Sequence, residues 1–280
     1  MSVLYVIATP IGNLEDISLR ALRLLREVDL IAAEDTRAIR HLLSAYGIRA
    51  VVTSYHEHNK LTKLDYLLGY LQTHSVALVS EAGTPGLSDP GYELITAAIR
   101  QGVRVIPIPG ASAVIAALVV SGLPSDQFLY IGFLPRRSQQ RKRLLVSLAG
   151  EARTVIAFES PHRLRSALND ILESLGDRDM AVCRELTKIH EEVFRGRISQ
   201  AIEHFTEPRG EFTLVIRGKM ADGSVVTDRQ AEELWKLYQQ GMGAREAVAQ
   251  VAHITGLPKN RLYRTWLKLM KENQDRMAMG

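Results

Sequence analysis

Val76–Ser80 (Val-Ala-Leu-Val-Ser) runs directly into Glu81–Gly91 (Glu-Ala-Gly-Thr-Pro-Gly-Leu-Ser-Asp-Pro-Gly). A short continuous apolar run that ends in glycine and proline reads as a buried strand stopped by a tight loop. Gly83, Gly86 and Gly91 with Pro85 and Pro90 fall within nine residues. Glycine lets backbone approach a ligand closely, and proline holds a loop in one shape. In open α/β sheets the carboxyl edge of the strands is where ligands bind. A rigid connector without ligand contacts is the plainer reading of the same residues.

Outward from this stretch the alternation repeats. Val3–Ala8 reads as a strand ended by Thr9–Asn13, and a helix follows with Asp16 as its cap and Ile17, Ala21, Leu24, Leu25 and Val28 on one face. Leu30–Ala33 is a second apolar run with Glu34-Asp35-Thr36 at its end. A helix is expected from Tyr92 to Gly102, then a strand at Val103–Ile108 and another turn into a helix at Pro109–Ala113. At that last junction Ser112 either meets a ligand or simply caps the helix. Strand, loop and helix in this order predict a mostly parallel α/β sheet.

After Gly122-Leu123-Pro124 a second α/β segment is expected, with strands at Phe128–Phe133, Thr154–Glu159, Met180–Glu185 and Phe212–Arg217. Its helices are expected near 137–149, 161–175 and 198–206. Gly218–Ser224 reads as a linker, and the remainder is helical at Asp228–Gln240, Ala244–Ala252 and Pro258–Lys271. The expected organisation is two α/β lobes, 1–120 and 121–224, and a helical appendage, 225–280.

Composition excludes several classes. The chain has 280 residues, 46% hydrophobic and 24% charged, the balance of a globular protein. Its longest apolar stretch, Ala111–Val120, is too short to span a bilayer. The N-terminus lacks a signal peptide's order of charges, and one cysteine, Cys183, fits a reducing cytoplasm. No Walker-type loop and no G-x-G-x-x-G dinucleotide signature occurs. His56-Glu57-His58 resembles the start of a metal site if it lies on a strand, but no third ligand accompanies it and no metal is expected.

The net charge of +4 is unevenly placed. Arg136, Arg137, Arg141, Lys142 and Arg143 form a basic run without an acid, and Asp228–Lys271 carries eight basic against four acidic side chains. The rest of the chain is mildly acidic. Concentrated positive charge holds phosphate backbones, so the run is read as an RNA contact over a solvated helix start. Ala252-x-x-x-Gly256 between amphipathic helices has helix-turn-helix spacing, with Arg261 and Arg264 in the final helix. That helix either grips nucleic acid or serves packing.

Thr9–Leu14, Glu34–Arg37, Ser80–Gly91, Pro109–Ala113 and Phe158–Arg163 occur in this order. Together they resemble the RNA-acting branch of the tetrapyrrole methylase family over essentially the whole chain. The resemblance implies two α/β lobes with S-adenosyl-L-methionine in the cleft between them, in a homodimer. It further implies methylation of the ribose 2′-oxygen of a cytidine in the decoding region of small-subunit ribosomal RNA, free or as the small ribosomal subunit. The cofactor positions it implies are Pro10, Gly83, Thr84, Pro85, Leu87, Ser112, Ala113, Phe158 and Thr213. Many family members have Gly-Asp-Pro where this chain has Gly83-Thr84-Pro85, a departure that fits a divergent substrate.

A ribose hydroxyl is a poor nucleophile, so a base within hydrogen-bond reach would help remove its proton. Glu159 and His162 are the favoured catalytic residues, with Glu81 and Lys188 as other candidates. Methylation of a small tetrapyrrole would leave the basic segments without a purpose. A ligand-sensing DNA-binding regulator would need paired recognition helices.

Overall fold

The computed structural model describes residues 2–219, 226, 228–255 and 257–278. They divide into two compact units, Met1–Gly218 and Lys219–Gly280.

The first unit holds two five-stranded sheets. The N-terminal sheet is built from β1 (Val3–Ile7), α1 (Leu19–Glu27), β2 (Leu30–Ala33), α2 (Thr36–Ala45), β3 (Val52–Ser54), α3 (Lys60–Tyr70), β4 (Val76–Val79), α4 (Tyr92–Arg100) and β5 (Arg104–Ile108). Its strands are all parallel in the order β3-β2-β4-β1-β5. Helices cover both faces, so the central strands are apolar throughout: every residue of β2 and β4 is buried. Two clusters result, one around Leu24, Leu25, Ile31 and Val79, the other around Leu4, Leu67, Leu78 and Leu94. The cap of α1 is Ser18, whose hydroxyl accepts from the Ala21 N–H at 3.1 Å. Asp16 instead ends a 3-10 turn at Leu14–Asp16, which Asn13 caps by accepting from the Glu15 N–H at 3.0 Å, so the helix cap falls to Ser18.

α5 (Ala113–Ser121) leads to the second sheet, made of β6 (Phe128–Phe133), α6 (Ser138–Ser147), β7 (Thr154–Glu159), α7 (Pro161–Leu175), β8 (Asp179–Arg184), β9 (Glu192–Arg197), α8 (Ile198–His204) and β10 (Phe212–Ile216). This sheet is mixed, in the order β6-β7-β10-β8-β9, and only β6 and β7 run parallel. Its β9 was not expected. It is a polar edge strand, Glu-Val-Phe-Arg-Gly-Arg, without a fully buried residue.

The second unit contains α9 (Asp228–Gln239), α10 (Ala244–Thr255) and α11 (Lys259–Ala278). Leu234, Leu237, Val248, Val251, Leu262 and Trp266 form its core. Met220–Ser224 of the expected linker and Gly256, the glycine of the expected turn, lie outside the described residues. No helix of the described residues is long and apolar enough to cross a membrane.

Arg141 departs from the expected solvated basic run. Its side chain is 3% exposed and paired with Asp170 of α7, Nε to Oδ2 at 2.8 Å. It also donates to the Pro135 carbonyl at 3.2 Å. A buried guanidinium needs every donor answered, and this one is committed to protein. Arg141 is therefore removed from the RNA-contact set. Removing one partner of a buried pair leaves the other charge stranded, at a cost of about 3–5 kcal/mol. Asp170→Ala should lose stability of that order in urea unfolding of the full chain, and a loss under about 1 kcal/mol would contradict the pairing.

Candidate active site

Three strand ends converge because the first sheet is parallel. The Thr9 N–H donates to the Gly83 carbonyl at 2.9 Å, and the Gly83 N–H donates back to Thr9 at 3.0 Å. This reciprocal pair ties the loop after β1 to the loop after β4. Gly83 has φ +79°, a backbone geometry that favours glycine. The third loop, after β5, packs tightly: a Cβ on Gly110 would lie 3.0 Å from the Ala8 Cβ.

The second sheet supplies the opposite wall. Phe158 stands opposite Thr213 in the β7–β10 pairing, and Thr213 opposite Cys183 in β10–β8. Three neighbouring strands thus present one row of side chains. Phe158 is fixed edge-on by Tyr130 and Phe133, with ring centroids at 5.3 and 5.4 Å. Beyond β8 the chain turns sharply at Glu185 (φ +50°) and Thr187 (φ +69°). There the Thr187 hydroxyl accepts from the Asn13 N–H at 3.0 Å, joining the two walls.

Between the walls lies a cavity of about 420 Å³, within the range of small-molecule sites. Gly83, Thr84, Leu87, Ser112 and Ala113 line one side and Phe158, Cys183, Leu186 and Thr213 the other. Its charged lining is entirely acidic: Glu34, Glu81, Asp89, Glu159 and Glu211. Lys188, just outside the lining, answers Glu185 and Glu211 at 2.9 Å each. Glu34, Glu81 and Asp89 have no ion-pair partner among the described residues. Burial, then the Glu34 charge, pushes the Asp89 carboxyl up to about 7. Burial raises Glu34 as well, opposed by the Glu81 N–H, which donates to its carboxylate at 3.2 Å. Burial raises the Cys183 thiol to about 12, so it acts as an apolar wall rather than a nucleophile.

Among residues singled out from sequence, Gly83, Thr84, Leu87, Ser112, Ala113, Phe158, Thr213, Glu81 and Glu159 line the cavity. Pro10 and Pro85 do not; both are buried within the loops that they shape. His162 is exposed on α7 and also outside the lining, because the chain has already turned into the helix at Pro161. Glu159 is 2% exposed, with Oε1 held by the Ser160 N–H at 2.7 Å and by Arg163. Its Oε2 has no partner, and burial raises its pKa against those two contacts. His56 and His58 lie in the turn after β3, not on a strand. No group of three metal-ligating side chains occurs among the described residues.

Arg136, Arg137 and Arg143 are exposed and have no ion-pair partner among the described residues, whereas Lys142 is paired with Glu173 at 2.5 Å. In the second unit Arg264 is exposed and Arg261 half-buried on α11. The sequence reading passes over Glu34 and Asp89 as site residues. The signal was available: Glu34 directly follows β2 and Asp89 lies within the glycine-rich loop, both at the ligand-binding edge.

A family model described as Tetrapyrrole (Corrin/Porphyrin) Methylases matches residues 3–202. The chain belongs to the tetrapyrrole methylase family. Within this family, it is 45% identical over 274 residues to a Halalkalibacterium halodurans protein named Ribosomal RNA small subunit methyltransferase I, covering 93% of each chain. A Thermotoga maritima protein of the same name is 50% identical over 222 residues, covering 78% of this chain and all of that one. Among solved structures, a uroporphyrin-III C-methyl transferase from Thermus thermophilus complexed with S-adenyl homocysteine aligns with TM-score 0.54 at 20% identity. That alignment covers 78% of this chain and 97% of the other. A model described as the RsmI C-terminal HTH domain matches residues 226–269.

The two walls of this tetrapyrrole methylase meet where Gly12 passes under Thr187 and Lys188. A Cβ there would lie 2.5 Å from Lys188 Cγ and 2.7 Å from Thr187 Oγ1. Gly12→Ala should displace the 185–191 loop at a cost of about 1–3 kcal/mol. It should also free the Asn13 amide, read as faster hydrogen exchange at that residue. Unchanged exchange would contradict the contact.

Proposed function

We propose that this chain transfers a methyl group from S-adenosyl-L-methionine to the ribose 2′-oxygen of a cytidine in the decoding region of small-subunit ribosomal RNA. The observation that carries the reading is near-full-length identity of 45% to a protein named for small-subunit ribosomal RNA methylation. The cavity supports it independently. Its volume suits one nucleoside-sized cofactor, its middle is apolar and backbone-rich, and its charged lining favours a cation.

In this reading Thr84, Ser112, Ala113 and Thr213 offer backbone and hydroxyl contacts to the cofactor, and Phe158 packs against it. When bound, S-adenosyl-L-methionine supplies a methyl group already activated by a positive sulfur. The chain's task is then to orient the ribose oxygen in line, exclude water and receive a proton. Glu159, tied to Arg163 and to the Ser160 amide, shapes the turn at the end of β7. Arg136 and Arg137, which follow the cavity-lining Phe133 closely in the chain, provide phosphate contacts together with Arg143, and Arg261 and Arg264 a second set. The substrate, free RNA or the small ribosomal subunit, assigns the chain to the cytoplasm.

A second copy of the chain is the partner we assign to α5. That helix is apolar on every side, yet Ile115, Val119 and Val120 are exposed. A helix hydrophobic all round is a buried one. The exposed apolar face of α5 is the observation that supports a homodimer.

Labelled methyl transfer to naked small-subunit RNA, assembled small subunits, DNA and a tetrapyrrole tests the function. Incorporation into a ribosomal substrate, at a linkage resistant to alkaline cleavage, is expected. Transfer to the tetrapyrrole alone would overturn it. Arg136→Ala with Arg137→Ala should weaken RNA binding and lower the salt slope by about two, leaving cofactor affinity unchanged. An unchanged RNA affinity would remove the run from the interface.

A further inference from the structure

Phe133 ends β6 and lines the cavity, yet it is 55% exposed. The lining's other aromatic residues are better covered: Phe158 is half-buried and Phe212 buried. A lone exposed phenylalanine is ordinary on a protein surface, but this one is placed by the backbone. Tyr130 stands opposite Ile156 of β7 and Phe133 opposite Phe158, so three steps on β6 answer two on β7. Side chains alternate along a strand, so without the extra residue Phe133 would point to the face opposite Tyr130. The bulge turns it to the face that Tyr130 and Phe158 share, with the Phe133 and Phe158 ring centroids 5.4 Å apart.

Gly132 makes the bulge. Its φ is +69°, and a Cβ there would lie 3.3 Å from the Ser88 Oγ. The Ser88 hydroxyl in turn hydrogen-bonds the Tyr130 hydroxyl at 2.6 Å, which clamps the bulge against the glycine-rich loop of the first sheet. The chain beyond the ring is pinned as well. The Leu134 N–H donates to the Phe158 carbonyl at 3.2 Å, and the Leu134 carbonyl accepts from Arg163 Nη1 at 3.1 Å. The Pro135 carbonyl accepts from the buried Arg141 at 3.2 Å. Arg136 and Arg137 follow directly, exposed and without an ion-pair partner among the described residues. A fixed, exposed aromatic ring beside basic side chains is how single-stranded nucleic acid is held: bases stack on the ring while the cations follow the phosphates.

Resting on the function proposed above, we propose that the rim of the cavity at Phe133 is a nucleobase subsite, in which the base of the reacting nucleotide stacks on the Phe133 ring. Arg136 and Arg137 take the adjoining phosphates, and the ribose is left facing the cavity. Proteins that recognise RNA sequence do so chiefly at bases drawn out of their own stack, and an aromatic face replaces part of the stacking lost. The ring is uncharged, so it receives a base beside the acidic cavity without drawing phosphate inward. Its part in the reaction is position alone, because it has no group that takes a proton.

Kinetics of methyl transfer to small-subunit RNA, with binding measured alongside, test the subsite. Phe133→Ala should lower kcat/KM by about 5–150-fold, through KM, because one base–aromatic stack is lost. Cofactor affinity by calorimetry and the unfolding midpoint should stay as in the wild type, since the residue is largely exposed. Phe133→Tyr should restore the rate, whereas Phe133→Leu, which keeps bulk without a π face, should not. Gly132→Ala, strained at positive φ, should misplace the ring and reproduce the defect. A ribosomal substrate rebuilt with a ribose but no base at the reacting nucleotide should bind wild type and Phe133→Ala with equal affinity and be methylated equally slowly by both. A defect of Phe133→Ala that persists in full on this base-free substrate overturns the subsite, as does an Ala variant with wild-type kcat/KM. Loss of cofactor affinity in Phe133→Ala also overturns it and places the ring in the cofactor's site. A wild-type chain that methylates no ribosomal substrate overturns the function itself, whereas an equally active Ala variant overturns only this subsite.

Discussion

The reciprocal hydrogen bonds between Thr9 and Gly83 are the constraint on which the site depends. Parallel strands deliver their C-terminal loops to one edge, but delivery alone leaves each loop free to move independently. Two backbone bonds, independent of side-chain identity, couple the loop after β1 to the glycine-rich loop after β4. Gly83 must be in the left-handed region to make them, which is why the Gly-Thr-Pro-Gly sequence stands at this strand end. The Asn13–Thr187 bond then extends the same loop to the second sheet. A cleft whose loops are tied together by backbone bonds can keep one shape while its lining residues vary with substrate.

Electrostatics divides the molecule by task. Every charged side chain that lines the cavity is acidic, and basic residues stand elsewhere on the α/β unit and on α11. Such a cavity favours a cation and disfavours phosphate. Under the proposed function, polyanionic RNA is left to the exposed arginines, and only its reacting ribose needs to enter. The Thermotoga maritima relative matches this chain over a length close to that of Met1–Gly218. Under the proposed function, the helical unit is then an addition to the catalytic fold, not a part of it.

Much of the fold was legible because burial on both faces makes β1, β2 and β4 continuous apolar runs. The short β3, with no fully buried residue, and the polar edge strand β9 carry no such signal. The glycine-rich loop marked the site for the same physical reason that it forms it. Arg141 was misread because its counter-charge, Asp170, lies 29 positions away on another helix. A basic run in sequence does not reveal which of its members faces inward. His56 and His58 suggested a shared strand face, but the strand ends at Ser54. Asp89 was overlooked because its distinction is its surroundings: Glu34, Glu81 and Tyr130 come from three separate strands.

The central claim is that the cofactor occupies the cleft between the two sheets, held by loops that the first sheet gathers. Hydrogen exchange of the full chain with and without S-adenosyl-L-methionine tests it most directly. Protection should rise at Gly83–Asp89, Ser112–Val114 and Phe212–Thr213, with no change along Lys259–Lys271. Protection confined to the C-terminal helices, or none in the glycine-rich loop at saturating cofactor, would contradict the account.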